Sequence, residues 1–127
     1  MKTILVVDDE FDIVEAVKAI LEEDGYRVHA CGNGSEALRC LNEVKPDLAI
    51  LDIMMPRLNG YETLKAIRKQ PAFERLPVLL MSAIVPEVPA GGYAWDGFLK
   101  KPFSLYDLLE QVHRLAPKAQ DGDGATG

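Results

Sequence analysis

The sequence predicts an α/β domain with a doubly wound, five-stranded parallel sheet, and three observations carry that prediction. Short apolar runs recur along the 127 residues, segments of helical hydrophobic period alternate with them, and the connections between the two are short. Such alternation calls for right-handed crossovers and helices on both faces of the sheet.

The first strand is ILVV at 4–7, a β-branched run that stops at Asp8-Asp9 as a buried strand does at a polar edge. From Phe11 to Asp24 the set Ile13, Val14, Val17, Ile20 and Leu21 recurs at helical spacing, and Gly25 closes the helix. YRVHA at 26–30 alternates as a second strand. Asn33, with Glu36 three residues on, opens a helix whose inner face is Ala37, Leu38, Leu41 and Val44. DLAILDI at 47–53 is almost continuously apolar apart from two acids, which suits a central strand covered on both sides. A third helix follows from about Gly60 to Lys69, with Tyr61, Leu64 and Ile67 on one side. PVLLMSA from 77 and GFLK at 97–100 supply the last two strands. Ser104 with Asp107 forms a capping box for a final helix that turns Leu105, Leu108, Leu109, Val112 and Leu115 inward. Pro117 stops that helix, and KAQDGDGATG is a polar tail with nothing to bury. The domain thus occupies residues 1–116; residues 117–127 are either a free end or the start of a linker.

Composition excludes several classes of function. A net charge of −6 repels nucleic acid and anionic lipid, and no basic cluster suggests direct nucleic-acid binding. MKTILVVDDE is too short an apolar run for a signal peptide or a membrane span, so a cytoplasmic location is expected. Cys31 and Cys40 lack metal-ligand spacing and are expected to be reduced and structural, while His29 and His113 stand isolated in the sequence.

Ligands of open α/β sheets bind at the carboxyl ends of the strands. Asp8, Asp9, Asp52, Ser82 and Lys101 all fall at or just past such ends, on four different strands. A carboxylate at Asp52, inside LAILDIMMP, is costly to bury beside Asp8 and Asp9 unless a cation relieves it. Three carboxylates with a backbone carbonyl suit an oxygen-only Mg²⁺ site, and Lys101 and Ser82 offer a positive charge and a hydroxyl to a phosphoryl group. An Asp nucleophile attacking phosphorus gives an acyl phosphate. Taken singly, Asp8-Asp9 suits a helix start equally well, Asp52 can be satisfied by backbone donors, and Ser82 or Lys101 signifies little. The set is far more specific than its members.

These residues resemble the receiver domain of bacterial two-component response regulators over about residues 2–116. The resemblance rests on VVDDE at 6–10, LDIMMPRLNG at 51–60, MSA at 81–83 and KPF at 101–103. It implies a flavodoxin-like strand order 2-1-3-4-5, the order given for this family among doubly wound folds. It further implies that Asp52 is the phosphoacceptor, that Asp8 and Asp9 hold Mg²⁺ together with the Met54 backbone carbonyl, and that Lys101 precedes a cis proline. Ser82 and Phe98 match the family's switch positions. The domain would act as a signalling module rather than a conventional enzyme, taking its phosphoryl group from a sensor histidine kinase or a phosphotransfer protein and changing a protein-contact surface. The output partner is left open, and a phosphorylation-independent binding scaffold is the alternative. A haloacid-dehalogenase-like phosphatase is disfavoured because Met54, not a second carboxylate, stands two residues past Asp52.

Two further features bear on the phosphate's lifetime and on the output surface, the second a departure from the family pattern. Met54 and Ile84, at positions that influence hydrolysis of the aspartyl phosphate, are both apolar and cannot orient a water. Between the switch hydroxyl and Phe98 the chain carries VPEVPAGGYAWDG, with Pro89 and Gly91-Gly92 opposing a regular fourth helix. Tyr93 and Trp95 are expected either to cover apolar surface there or to contact a partner.

Overall fold

A computed structural model describes residues 1–55, 59–84 and 94–118. Among the described residues, five strands and four α-helices follow in the order β1 (Thr3–Val7), α1 (Phe11–Glu23), β2 (Arg27–Cys31), α2 (Gly34–Val44), β3 (Leu48–Asp52), α3 (Gly60–Arg68), β4 (Val78–Ser82), β5 (Gly97–Lys100) and α4 (Leu105–Leu115), with a 3₁₀ turn at Pro71–Phe73 before β4. All pairings are parallel and the sheet order is β2-β1-β3-β4-β5. The predicted architecture and strand order are those observed.

Period-two alternation divides the strand residues between two cores. Leu5, Val7, Ala49, Leu51, Val78 and Leu80 face α2 and α3, meeting Ala37, Leu41, Leu64 and Ile67. Ile4, Val6, Leu48, Ile50, Leu79 and Met81 face the other way, onto Val17 and Leu21 of α1 and Leu108 and Val112 of α4. Every residue of β3 and β4 is buried, which explains their unbroken apolar sequence.

Local signals set the helix ends. Asn33 caps α2 by accepting from the Glu36 N–H at 2.8 Å, whereas the Glu36 carboxylate reaches back to Gly32 N rather than to the cap residue. Asn59 and Glu62 close both bonds of a capping box on α3. The box expected at α4 is only half made: Ser104 Oγ accepts from Asp107 N at 3.0 Å, and Asp107, a methylene shorter than Glu, does not return the bond. Leu105 also departs from expectation. At the first turn of α4 it is 45% exposed, and the inner face of the helix is Leu108 and Val112, flanked by half-buried Leu109 and Leu115.

Residues 85–93, where the expectation of no regular fourth helix falls, are outside the described residues, as are Tyr93 and 119–127 of the tail. Trp95 is described: it is half-buried on the α2–α3 core, its ring 6.0 Å from that of Tyr61, as a covering anchor would be. Arg68 fastens the adjoining backbone by donating to the carbonyls of Leu76 and Ala94 and to Asp96 Oδ2, which also accepts from Val78 N at 2.8 Å.

Candidate functional site

Parallel register brings four strand ends to one rim. Val7 pairs with Cys31 and with Leu51, Asp52 pairs with Met81, and Ser82 pairs with Lys100. Asp8 therefore leaves β1 beside Asp52 at the end of β3, and Lys101 follows directly on β5. Asp8, Asp52 and Ser82 are each almost fully buried, while Asp9 is exposed. Burying three such polar groups at one edge of a sheet is costly without partners.

Lys101 supplies much of that pairing. Its Nζ lies 2.9 Å from Asp8 Oδ2, 3.5 Å from Asp52 Oδ1 and 2.9 Å from Glu10 Oε1. Asp8 Oδ1 also accepts from Glu10 N at 2.9 Å, and Asp52 Oδ1 from Met54 N at 3.3 Å. The balance is still negative, since one ammonium faces several carboxylates. Burial first, and then the charge of Asp8, pushes the Asp52 carboxyl from its ordinary 3.8 up to about 7, although Lys101 pulls the other way. For Lys101, burial disfavours the ammonium, but the bonds to Asp8 and Glu10 outweigh it and hold its pKa above the ordinary lysine value.

The ligand oxygens of Asp8, Asp9 and Asp52 lie within 4.8 Å of one another. An all-carboxylate set with unrelieved negative charge fits a hard divalent cation, whose charge would offset the cost that raises Asp52. Met54 stands beside this cluster, its side chain 61% exposed and its N–H turned to Asp52. Ser82 sits one residue beyond Asp52's partner on β4; its Oγ accepts from Ile84 N at 3.1 Å and its carbonyl from Lys101 N at 2.8 Å. Phe98 is half-buried and packs on the α2–α3 core. The Lys101-Pro102 peptide is cis, as the family resemblance implied.

Gly60 holds the first turn of α3 against this rim. A Cβ there would lie 2.5 Å from the Asp52 carbonyl oxygen and 2.7 Å from Ile53 Cα, both backbone atoms. A Gly60→Ala chain is expected to lose about 1–3 kcal/mol, the usual cost of overpacking. It is also expected to weaken any divalent-cation binding at the carboxylate cluster, because relieving the clash pushes α3 against the Asp52 backbone. Urea unfolding and calorimetric Mg²⁺ titration check this; parent-like values in both would contradict the close packing.

Two things escaped the sequence. Glu10 shares Lys101 with Asp8, and its place inside VVDDE was the available signal. His29, Cys31 and Cys40, isolated in sequence, are brought together by the packing of α2 on β2: one ligand atom from each lies within 4.8 Å of the others. Their separation in the chain hid this, because no sequence spacing specifies a contact between a helix and a neighbouring strand.

The profile of the response regulator receiver domain family matches residues 4–113. The response regulator MprA of Mycolicibacterium vanbaalenii is 38% identical over 125 residues, which cover 96% of this chain and 53% of that protein. The chain therefore spans about half the length of the curated relatives it matches. The chemotaxis protein CheY4 of Vibrio cholerae superposes with a TM-score of 0.83 at 31% identity, over 91% of this chain and 98% of that one. The response regulator TrrA of Thermotoga maritima in complex with Mg(2+)-BeF superposes with a TM-score of 0.82 at 38% identity, over 91% and 99%.

Proposed function

The chain belongs to the response regulator receiver domain family, and from that premise we propose that Asp52 accepts a phosphoryl group from a phosphohistidine of a sensor kinase or phosphotransfer protein. The observation that carries this reading is a buried carboxylate, pushed up to about 7 by burial and by Asp8, within 3.5 Å of the Lys101 ammonium. A carboxylate short of solvation and of counter-charge is poised to share its negative charge with an incoming phosphorus centre.

An Asp52 carboxylate oxygen attacks phosphorus, the P–N bond breaks with its electron pair going to the imidazole, and an acyl phosphate remains. Lys101 and Ser82 are the groups proposed to hold phosphoryl oxygens, the first by charge and the second by its hydroxyl. Asp8, Asp9, Asp52 and the Met54 carbonyl are the proposed ligands of Mg²⁺, which when bound neutralises phosphoryl charge. No described helix is long and apolar enough to cross a membrane, and a cytoplasmic setting, where phosphodonor and Mg²⁺ meet, agrees with this chemistry.

Recruiting the Ser82 hydroxyl to the new phosphate takes it from Ile84 N and alters the end of β4. Phe98, half-buried on neighbouring β5, is the group proposed to follow that movement and change the contact surface. Incubation with Mg²⁺ and a small phosphodonor tests the proposal. The parent is expected to gain one phosphoryl group by intact mass and to change its association, and Asp52→Asn to do neither. Uptake with no change in conformation or association would favour a scaffold instead.

Met54 and Ile84 are both more than 60% exposed beside the site, and neither can hydrogen-bond an attacking water. The aspartyl phosphate is therefore expected to be long-lived. Met54→Asn and Ile84→Glu together should speed its loss about tenfold or more, a change of about 1.4 kcal/mol in barrier. A phosphate-release time course no faster than the parent's would contradict this.

A further inference from the structure

A second group of ligating side chains lies apart from the carboxylate cluster and shares no residue with it. His29 and Cys31 are two apart on edge strand β2, so both point to the same face, and Cys40 reaches that face from α2. One ligand atom from each lies within 4.8 Å of the other two. Neither cysteine is in a disulfide. We propose that His29, Cys31 and Cys40 form a nitrogen–sulfur site for one zinc-class cation, tying the edge of the sheet to α2.

The donor types select the metal. Two thiolates and an imidazole suit Zn²⁺ and other borderline or soft ions and reject Mg²⁺, which takes oxygen ligands, so the two sites sort cations by chemistry. Ligand atoms on a zinc tetrahedron with metal–sulfur and metal–nitrogen distances of about 2.3 and 2.0 Å stand about 3.5–3.8 Å apart, so the cluster needs to draw in by at most about 1.3 Å. Cys31 is buried, Cys40 half-buried and His29 exposed, which leaves solvent access for a water as fourth ligand. On binding, the two thiols release their protons to solvent and neutral His29 donates a ring-nitrogen lone pair. Two protons leave, and two thiolates balance the dication. The site stands one hydrogen bond from the carboxylate cluster, since Asp8 N donates to the Cys31 carbonyl at 3.2 Å.

Co²⁺ is the probe, because thiolate ligation gives a charge-transfer band and tetrahedral geometry gives intense d–d bands. The full chain, kept reduced with a phosphine and saturated with Mg²⁺, is expected to take up one Co²⁺ with both signatures and to release it to Zn²⁺. Cys31 lies in the core, where substitution tests folding as much as ligation, so the decisive variants are Cys40→Ser and His29→Ala, with circular dichroism confirming their fold. Cys40→Ser is expected to lose about half or more of the charge-transfer intensity, His29→Ala to bind at least about tenfold more weakly, and Asp52→Asn to behave as the parent. Absence of a thiolate band in the parent, or a band of full strength and affinity in both decisive variants, would overturn the proposal.

Discussion

Asparagine at position 52 is expected to make the unphosphorylated, metal-free chain more stable than its parent by about 2–4 kcal/mol near pH 8, with the difference vanishing near pH 4. The sign follows from the direction of the shift. Asp52 is raised from 3.8 to about 7 in the fold, chiefly by burial and then by Asp8. Between about pH 4 and pH 7 the folded chain keeps a proton that the unfolded chain has already released. Stability therefore falls as pH rises through that window and levels off above it. A neutral amide has no such dependence. Lys101 loses its partner at 3.5 Å in the variant but keeps Asp8 and Glu10, both at 2.9 Å, so little is lost in exchange. Mg²⁺ should narrow the gap by stabilising the parent more than the variant. Urea unfolding of both chains at several pH values, with and without Mg²⁺, measures each of these terms. A variant no more stable than the parent at pH 8 would mean that Asp52 carries no uncompensated charge.

Lysine 101 is the opposite case. Substitution by Met removes the cation that faces Asp8 and Asp52 and leaves two buried carboxylates side by side. Breaking one partner of a buried ionic network typically costs about 3–5 kcal/mol, and a loss of that order is expected near pH 8. It should shrink as pH falls, because protonating a carboxyl removes the repulsion. Adding Asp52→Asn to Lys101→Met should recover part of the loss, with a coupling of about 1–3 kcal/mol. Additive effects in that double-mutant cycle would show that the two groups do not interact.

The sheet was legible because β1, β3 and β4 have apolar sequences of the right length and stop at or just before a polar residue. β3 is the clearest: Leu48 to Leu51 lie between two cores, and Asp52 turns polar where the strand reaches the rim. Asp8, Asp52 and Lys101 could be expected to meet because parallel strands deliver their carboxyl ends to one side. What stayed hidden depends on contacts rather than on pattern. Leu105 continues the helical stripe of α4 in sequence but stays 45% exposed, lining an open groove with Ile13, Val17 and Phe103 instead of entering the core. Glu10 has no sequence signal beyond its place in VVDDE, and only the fold lets Lys101 bridge it to Asp8. Cys40 meets Cys31 only through the angle at which α2 crosses β2, which no spacing encodes.

Phosphorylation at Asp52 is the central claim, and trapping the acyl phosphate tests it most directly. The chain is treated with Mg²⁺ and a small phosphodonor, reduced with borohydride and digested for tandem mass spectrometry. Hydride displaces phosphate from the activated carbonyl and leaves homoserine in place of the aspartate that carried it. The expected result is homoserine at residue 52 alone, dependent on both Mg²⁺ and the phosphodonor. Homoserine at Asp8 or Asp9 in its place, or an unmodified residue 52 in a chain that has gained a phosphoryl group, would contradict the assignment.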